Sequence, residues 1–99
     1  MALFRTGRIV LTSGIRYEEG TDGAFECFVR TSLRRHRIGD WGALCDSDSE
    51  RNDLAIKNER LGLQTEQLFS CYEYNDLLKI YIVTEIDRSM TMVLLPEEY

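Results

Sequence analysis

Hydrophobic periodicity changes along the chain, and the change predicts where helices end and strands begin. From Phe25 to Leu33 the apolar residues recur at a spacing of three and four, which is typical of a helix with one buried face. Asp22 is a candidate N-cap for this helix, and Gly39 follows its arginine-rich last turn. The pattern predicts a helix that begins near Asp22 and ends before Gly39.

A second helix is predicted after a tight connection around the one tryptophan, Trp41. Residues 47–50 read Ser-Asp-Ser-Glu and match the capping box, and Gly62 is a natural stop. The apolar stripe between them is narrow, which favours a helix on the surface. Trp41 is predicted to be a packing anchor between the two helices and the sheet.

The remaining elements are predicted strands. Residues 8–12 form a short β-branched run, residues 17–23 read as a loop, and the last third alternates over 68–74, 78–84 and 90–95. We therefore predict one α+β domain spanning residues 1–99. Its expected order is β-α-α-β-β-β, with an antiparallel sheet covered on one face by two helices.

Length and cysteine content limit the class of protein. Ninety-nine residues suffice for one modest core, and the sequence has neither an apolar run of membrane-spanning length nor an N-terminal secretory signal. Three unpaired cysteines, Cys27, Cys45 and Cys71, suit a reducing compartment. We expect a cytoplasmic protein that does not enter a membrane.

Charge is distributed unevenly between the two halves of the chain. The net charge is −5, but residues 1–45 hold seven arginines against five acids, whereas residues 46–99 hold five bases against twelve acids. Such asymmetry can mark an interaction face. Alternatively, the two halves neutralise each other across the fold.

Two groups of residues are candidates for catalysis. Glu85 and Asp87, followed by Arg88, could bind a divalent metal or share acid and base roles, but turns also favour these residue types, and we favour the turn. His36 could activate a cysteine as a nucleophile. However, a histidine at an arginine-rich helix end is expected to be exposed to solvent and to have no such role. The sequence lacks a metal-binding motif, and we predict no catalytic residue, metal or cofactor.

The basic segment at residues 30–37 could contact phosphates, or it could pair with the acidic half. Two other groups are candidates for binding a protein partner, namely the acids near the start of the second helix and the tyrosines of the sheet. Each has a structural alternative, a solvated helix N-terminus for the acids and cross-strand packing for the tyrosines. The predicted partner-binding residues are Asp46, Asp48, Glu50, Asp53, Tyr72, Tyr74 and Tyr81.

Several segments resemble a family of small proteins carried by bacterial plasmids and integrative elements, known as plasmid-related proteins. The similar segments are Gly-Asp-Trp-Gly at 39–42, Asn-Asp at 52–53, and the tail from residue 82 to residue 99. That tail is similar to the family pattern I-I-T-E-A-D-R-S-x-T-T-x-L-L-P-x-E-Y, with Ile86 and Met92 as departures. The resemblance implies a mobile-element setting, and the family offers no enzymatic activity that can be carried over residue by residue to this sequence.

Small acidic proteins in such a setting often block host defences. We therefore expect a non-enzymatic, anti-CRISPR-type inhibitor whose partner is a host defence protein or ribonucleoprotein complex. Direct, sequence-specific nucleic-acid binding is not expected. The alternatives are a small metal-dependent nuclease that uses Glu85, Asp87 and Arg88, and a DNA-binding accessory protein that uses the arginine helix.

Overall fold

The computed structural model describes residues 2–99, and it has the α+β class predicted from the sequence. The strands and helices follow one another along the chain in the order β-α-α-α-β-β-β, with a short 3-10 turn at Pro96–Glu98. The four strands form one sheet. The elements are β1 (Arg8–Leu11), α1 (Ser13–Thr21), α2 (Gly23–Arg37), α3 (Asp46–Arg60), β2 (Leu68–Glu73), β3 (Lys79–Thr84) and β4 (Met90–Leu94).

The sheet is mixed rather than wholly antiparallel. Its strand order is β1-β4-β3-β2, and the β2-β3-β4 meander is antiparallel as predicted. The first strand, however, joins the far edge of the meander in parallel, with Ile9 opposite Thr91 and Leu11 opposite Val93. The connection between these two parallel strands runs through all three helices and then through β2 and β3, which is much longer than the crossover that a parallel pair requires.

Helix α1 occupies most of the segment that was expected to be a loop. Thr12 is its N-cap and accepts a hydrogen bond from the Ile15 amide. The carboxylate of Glu98 adds two contacts, accepting from Thr12 Oγ1 at 2.6 Å and from the Gly14 amide at 3.0 Å. This helix buries only Ile15. Its cap therefore comes largely from the far end of the chain, and the local pattern could not predict it.

Helices α2 and α3 lie where the periodicity placed them. Asp22 caps α2 by accepting from the Ala24 amide, and Gly39 follows the helix with a positive φ of 82°. In contrast, α3 begins at Asp46 with Cys45 as its N-cap, and no side chain caps it. The predicted capping box at Ser47 is therefore not formed, because these residues already lie inside the first turns.

Two clusters of buried side chains fill the space between the helices and one face of the sheet, which we call the inner face. The larger joins Ile15, Phe25 and Val29 to the strands. The smaller surrounds Trp41, which is 4% exposed, packs against Phe4 and donates from Nε1 to Asp53 at 3.0 Å. The prediction that Trp41 is a packing anchor is confirmed.

The free edge of β2 is capped by other parts of the chain. The Asn52 side chain accepts from the Phe69 amide and donates to the Phe69 carbonyl, while the backbone at residues 41–43 pairs with Cys71. Gly42 lies so close to the Cys71 carbonyl that a Cβ atom has no room there. This edge is therefore unavailable to another strand.

Candidate functional site

His36 is buried in the core, which corrects the expectation of an exposed imidazole. It is 0% exposed, and its ring contacts Phe4 and Trp41 edge-on. Its Nδ1 lies 2.6 Å from Ser70 Oγ and its Nε2 lies 2.9 Å from Thr84 Oγ1. The last turn of α2 therefore places this side chain on a polar row of the inner face.

The hydrogen bonds around His36 form a chain whose direction can be worked out from its far end. Thr91 Oγ1 must donate to the Thr6 carbonyl, which can only accept. Thr84 must then donate to Thr91 across 2.7 Å, so it accepts from Nε2–H of His36. Nδ1 is left as the acceptor for the Ser70 hydroxyl. The chain of donors selects the neutral Nε2–H tautomer.

This environment makes His36 a structural residue. Burial, together with the positive charges of Arg88 and Arg37, lowers the pKa of His36 to about 3. The imidazole is therefore neutral near pH 7 and has no surface on which a substrate could meet it. Cys27 and Cys45 are exposed, whereas His36 is buried, so neither forms a nucleophilic pair with it.

The segment that could have carried metal or acid–base chemistry forms the β3–β4 turn. Asp87 accepts hydrogen bonds from the Ser89 amide and hydroxyl, and these lower the pKa of Asp87. Arg88 is 6% exposed and bonds to the Glu59 carboxylate, Thr65 and two backbone carbonyls. The side chains of Asp87 and Arg88 are therefore used within the domain, and the segment forms the turn that the sequence favoured. The Glu85 carboxylate has no hydrogen bond among the described residues, although the Glu85 carbonyl accepts one from Arg88.

Further observations weaken the nuclease and DNA-binding alternatives. Within residues 2–99, no three His, Cys, Asp or Glu side chains lie close enough to hold a metal ion. Two arginines of the basic segment pair with carboxylates nearby in sequence, Arg30 with Glu26 at 2.8 Å and Arg35 with Asp40 at 2.7 Å.

The part of the chain that the structure describes has no helix long and apolar enough to cross a membrane.

The predicted acidic residues all lie exposed on the first half of α3, but they do not share one face. At about 100° of rotation per residue, Asp46, Glu50 and Asp53 fall within about 60° of one another. We call these three residues the acidic stripe. Asp48 is rotated by about 200° from Asp46 and instead borders the sheet. Asp53 is also the acceptor for Trp41, so Asp46 and Glu50 are the members with unused carboxylates.

The three predicted tyrosines lie on opposite faces of the sheet. Tyr72 is 1% exposed on the inner face and donates its hydroxyl proton to the Asp40 carbonyl, so it cannot contact a partner. Tyr74 is half-buried, and its ring packs against Phe25 and Phe28. Cross-strand and core packing accounts for both residues. Tyr81 lies on the other face, which we call the outer face, and is half-exposed.

A groove of about 550 Å³ separates the first half of α3 from the outer face. Three aromatic rings, those of Phe69, Tyr81 and Tyr99, pack tilted or edge-on along one side of it with centroids 4.8–5.7 Å apart. Asp48 and Glu66 contribute carboxylates to its wall, and Arg51 contributes a guanidinium. The groove therefore brings together one acid and one tyrosine that the sequence had suggested as separate binding sites.

The charge asymmetry of the sequence persists in the folded protein. Each ion pair among the described residues joins two residues of the same half: Glu26 with Arg30, Arg35 with Asp40, and Glu59 with Arg88. No ion pair in residues 2–99 therefore neutralises the acidic half with the basic one. The acidic half therefore keeps its excess negative charge, of which the first half of α3 carries four carboxylates, those of Asp46, Asp48, Glu50 and Asp53, against the one cation of Arg51.

Comparison with protein-family models, with curated proteins and with solved structures finds no match to this chain. The residues on which the resemblance to plasmid-related proteins depends have structural tasks. Thr84 and Thr91 belong to the His36 chain, Arg88 ties the turn to α3, and Glu98 caps α1. These four residues of the tail motif therefore hold the domain together, whereas Ile86 and Tyr99 of the same segment are exposed and line the groove.

Proposed function

We propose that this protein is a non-enzymatic inhibitor, encoded on a mobile element, that binds a host nucleic-acid-targeting defence complex in the cytoplasm. The observation that carries this proposal is the acidic stripe of Asp46, Glu50 and Asp53, which is exposed and free of ion pairs within the described residues. The burial of His36 and the use of the Arg88 and Asp87 side chains in hydrogen bonds within the domain favour a binding role over a catalytic one.

The inhibition would be competitive. Complexes that hold nucleic acid present basic grooves, and a helix that displays carboxylates on successive turns offers a comparable row of negative charge. Long-range attraction would speed association, and it would weaken as salt shortens the Debye length to about 8 Å at physiological ionic strength. The proposed inhibitor therefore binds faster at low salt and is displaced by nucleic acid.

A plasmid-interference assay tests this function. The protein is expressed in bacteria whose CRISPR or restriction system targets an incoming plasmid, and transformation is compared with that of an untargeted plasmid. We expect the wild-type protein to restore transformation and D46K/E50K to lose at least about tenfold of that protection through slower association. The control E26K/D76K changes net charge equally on other elements and should protect fully.

Two results would oppose the proposal. Unchanged transformation of the targeted plasmid with wild-type protein, across strains with different targeting systems, would reject inhibition of those systems. Full protection by D46K/E50K would leave inhibition standing but would remove the acidic stripe from the contact surface. Circular dichroism of each variant verifies that the fold is retained.

A further inference from the structure

The outer face of the sheet is apolar, although no helix covers it. Register pairs connect Val10, Met92, Val83 and Phe69 into one row across all four strands. A second row joins Leu94, Tyr81 and Cys71. None of these side chains belongs to the two clusters packed against the helices.

Such a face departs from the usual pattern for a two-layer domain. Antiparallel sheets with one solvated face normally alternate apolar residues inside with polar residues outside. Here Val10, Phe69, Tyr81 and Met92 are only partly covered, and the ring of Tyr99 packs edge-on against Phe69 and Tyr81. The other members of the two rows, Val83, Leu94 and Cys71, are already buried within the single chain. A contiguous apolar surface of this kind marks an interaction site.

The charges at the margins of the outer face are arranged so that the face complements itself. Arg8 lies exposed on β1 at one edge. The groove beside β2 at the other edge is lined by the carboxylates of Glu66 and Asp48 and by one cation, Arg51, so its net charge remains negative. A two-fold axis parallel to the strands would lay the β1 edge of one copy over the β2 edge of a second. Arg8 of each copy then reaches the acidic end of the other copy's groove, twice per pair.

We propose that the outer face binds a second copy of this chain, forming a face-to-face dimer in which the two acidic stripes remain free. The rows of Val10 and Tyr81 pack against their counterparts, and the groove beside α3 receives the partner's β1 edge. Met92 supplies an adaptable side chain at the centre. This inference does not depend on the inhibitory function, because the residues of the acidic stripe lie on a different side of α3 from Asp48 and the groove.

The size of the face indicates the strength of the dimer. Four strands about 4.8 Å apart, with five residues rising about 3.4 Å each, give a patch about 15–20 Å on each side. Two such patches together amount to roughly 450–800 Å², which is less than the roughly 1,200–2,000 Å² of a stable interface. The dimer is therefore a weak, transient one, and its dissociation should be measured from about 1 to 200 µM.

Sedimentation equilibrium of the full chain tests the dimer. We expect the wild-type mass to rise from 11.5 kDa towards twice that value across the concentration range. Met92→Lys should raise the dissociation constant by at least about thirtyfold, since a lysine there becomes buried on association. Arg8→Glu and Glu66→Arg should each raise it by about tenfold through like-charge repulsion, and R8E/E66R should recover most of that loss.

The controls R16E and D76R make the same charge changes on α1 and on the β2–β3 turn, and they should leave the dimer unchanged. A wild-type chain that stays monomeric at about 200 µM would overturn the proposal. So would a dimer that is insensitive to Met92→Lys, or one that R8E/E66R does not rescue. If the protein is monomeric and Met92→Lys abolishes plasmid protection, the outer face instead binds a different protein, and the proposed second copy is wrong.

The same variants separate this proposal from the inhibitory one. D46K/E50K should dimerise normally whether or not it protects the plasmid. Met92→Lys should be a folded monomer, which near-ultraviolet circular dichroism can verify, because Met92 is half-exposed in a single copy. A monomeric wild-type protein would therefore not contradict the proposed role of the acidic stripe. Full plasmid protection by D46K/E50K would likewise not contradict the dimer.

Discussion

His36 Nε2 lies 2.9 Å from Thr84 Oγ1, and neither residue has accessible surface. The contact joins the last turn of α2 to the end of β3, residues that are 48 positions apart in the chain. It places the one histidine of the sequence where a positive charge is least tolerated. Both the acid stability of the domain and the position of α2 on the sheet therefore depend on this pair.

The first prediction concerns pH. The pKa of His36 is about 3 in the folded protein against 6.5 for an ordinary histidine, so the unfolded state binds more protons between these values. Above pH 6.5 the titration of His36 therefore leaves the free energy of unfolding unchanged. Between pH 6.5 and pH 3 it lowers the free energy of unfolding by about 1.4 kcal/mol for each unit by which the pH decreases.

Urea unfolding at pH 7.5 and pH 5.0 checks this prediction, because this range lies above the pH at which most carboxylates titrate. The wild-type free energy of unfolding should fall by about 2 kcal/mol more than that of His36→Gln, which cannot titrate. Equal losses in the two proteins would contradict the assignment of acid sensitivity to His36.

The second prediction concerns the tautomer. Because Thr91 must donate to the Thr6 carbonyl, the chain of hydroxyls requires the proton of His36 on Nε2. Nitrogen-15 NMR of the imidazole at pH 7 should show a protonated Nε2 and an unprotonated Nδ1. A proton on Nδ1 would mean that the hydroxyl chain runs in the opposite direction.

The third prediction concerns Thr84, the central member of the chain. Thr84→Val keeps the side-chain shape but leaves the His36 Nε2–H without an acceptor and Thr91 without a donor. The free energy of unfolding should fall by about 2–3 kcal/mol, as is usual for unsatisfied buried polar groups. Thr31→Val makes the same chemical change on the exposed side of α2 and should alter stability by less than about 0.5 kcal/mol.

The fourth prediction concerns Arg88, which combines a positive φ of 61° with four side-chain hydrogen bonds and a position over the Phe4 ring. Arg88→Ala should lower the free energy of unfolding by about 2–4 kcal/mol, because it leaves Glu59 unpaired and the carbonyls of residues 66 and 85 without their side-chain donor. Arg88→Gly should be about 1 kcal/mol less harmful than Arg88→Ala, since glycine relieves the backbone conformation. Thermal denaturation of the two variants checks this order.

The fifth prediction concerns Ser32, whose hydroxyl is buried on the inner side of α2 and has no hydrogen-bond partner among the described residues. Ser32→Ala removes this unsatisfied group and improves helix propensity. The free energy of unfolding should rise by about 1 kcal/mol. A loss of stability on this substitution would mean that the hydroxyl has a partner, such as an ordered water molecule.

Much of the fold could be predicted from local pattern. Alternation over β2, β3 and β4 predicted a meander, and the helical spacing from Phe25 to Leu33 predicted α2, because each element encodes its own buried face in its periodicity. Helix α1 could not be predicted this way. It buries a single residue, and its cap is completed by Glu98 from the opposite end of the chain.

The candidate sites were harder to predict, since exposure depends on which face a strand presents. The sequence placed Tyr72 and Tyr81 on neighbouring strands, but only the register assigns Tyr72 to the core and Tyr81 to the outer face. The buried His36 did leave a signal in the sequence. Ser70, Thr84 and Thr91 are polar residues at inward positions of apolar strands, and such positions require a buried partner.

What the sequence alone determined is therefore local: the α+β class, the meander, two helices, the turn at Asp87 and the uneven division of charge. Each depends on residues that are neighbours in the chain, so periodicity and turn chemistry suffice. The tertiary structure decided the parallel pairing of β1, the burial of His36, the division of the acids around α3 and the apolar outer face. These features join residues that are far apart in sequence, and only the packed sheet brings them within contact distance.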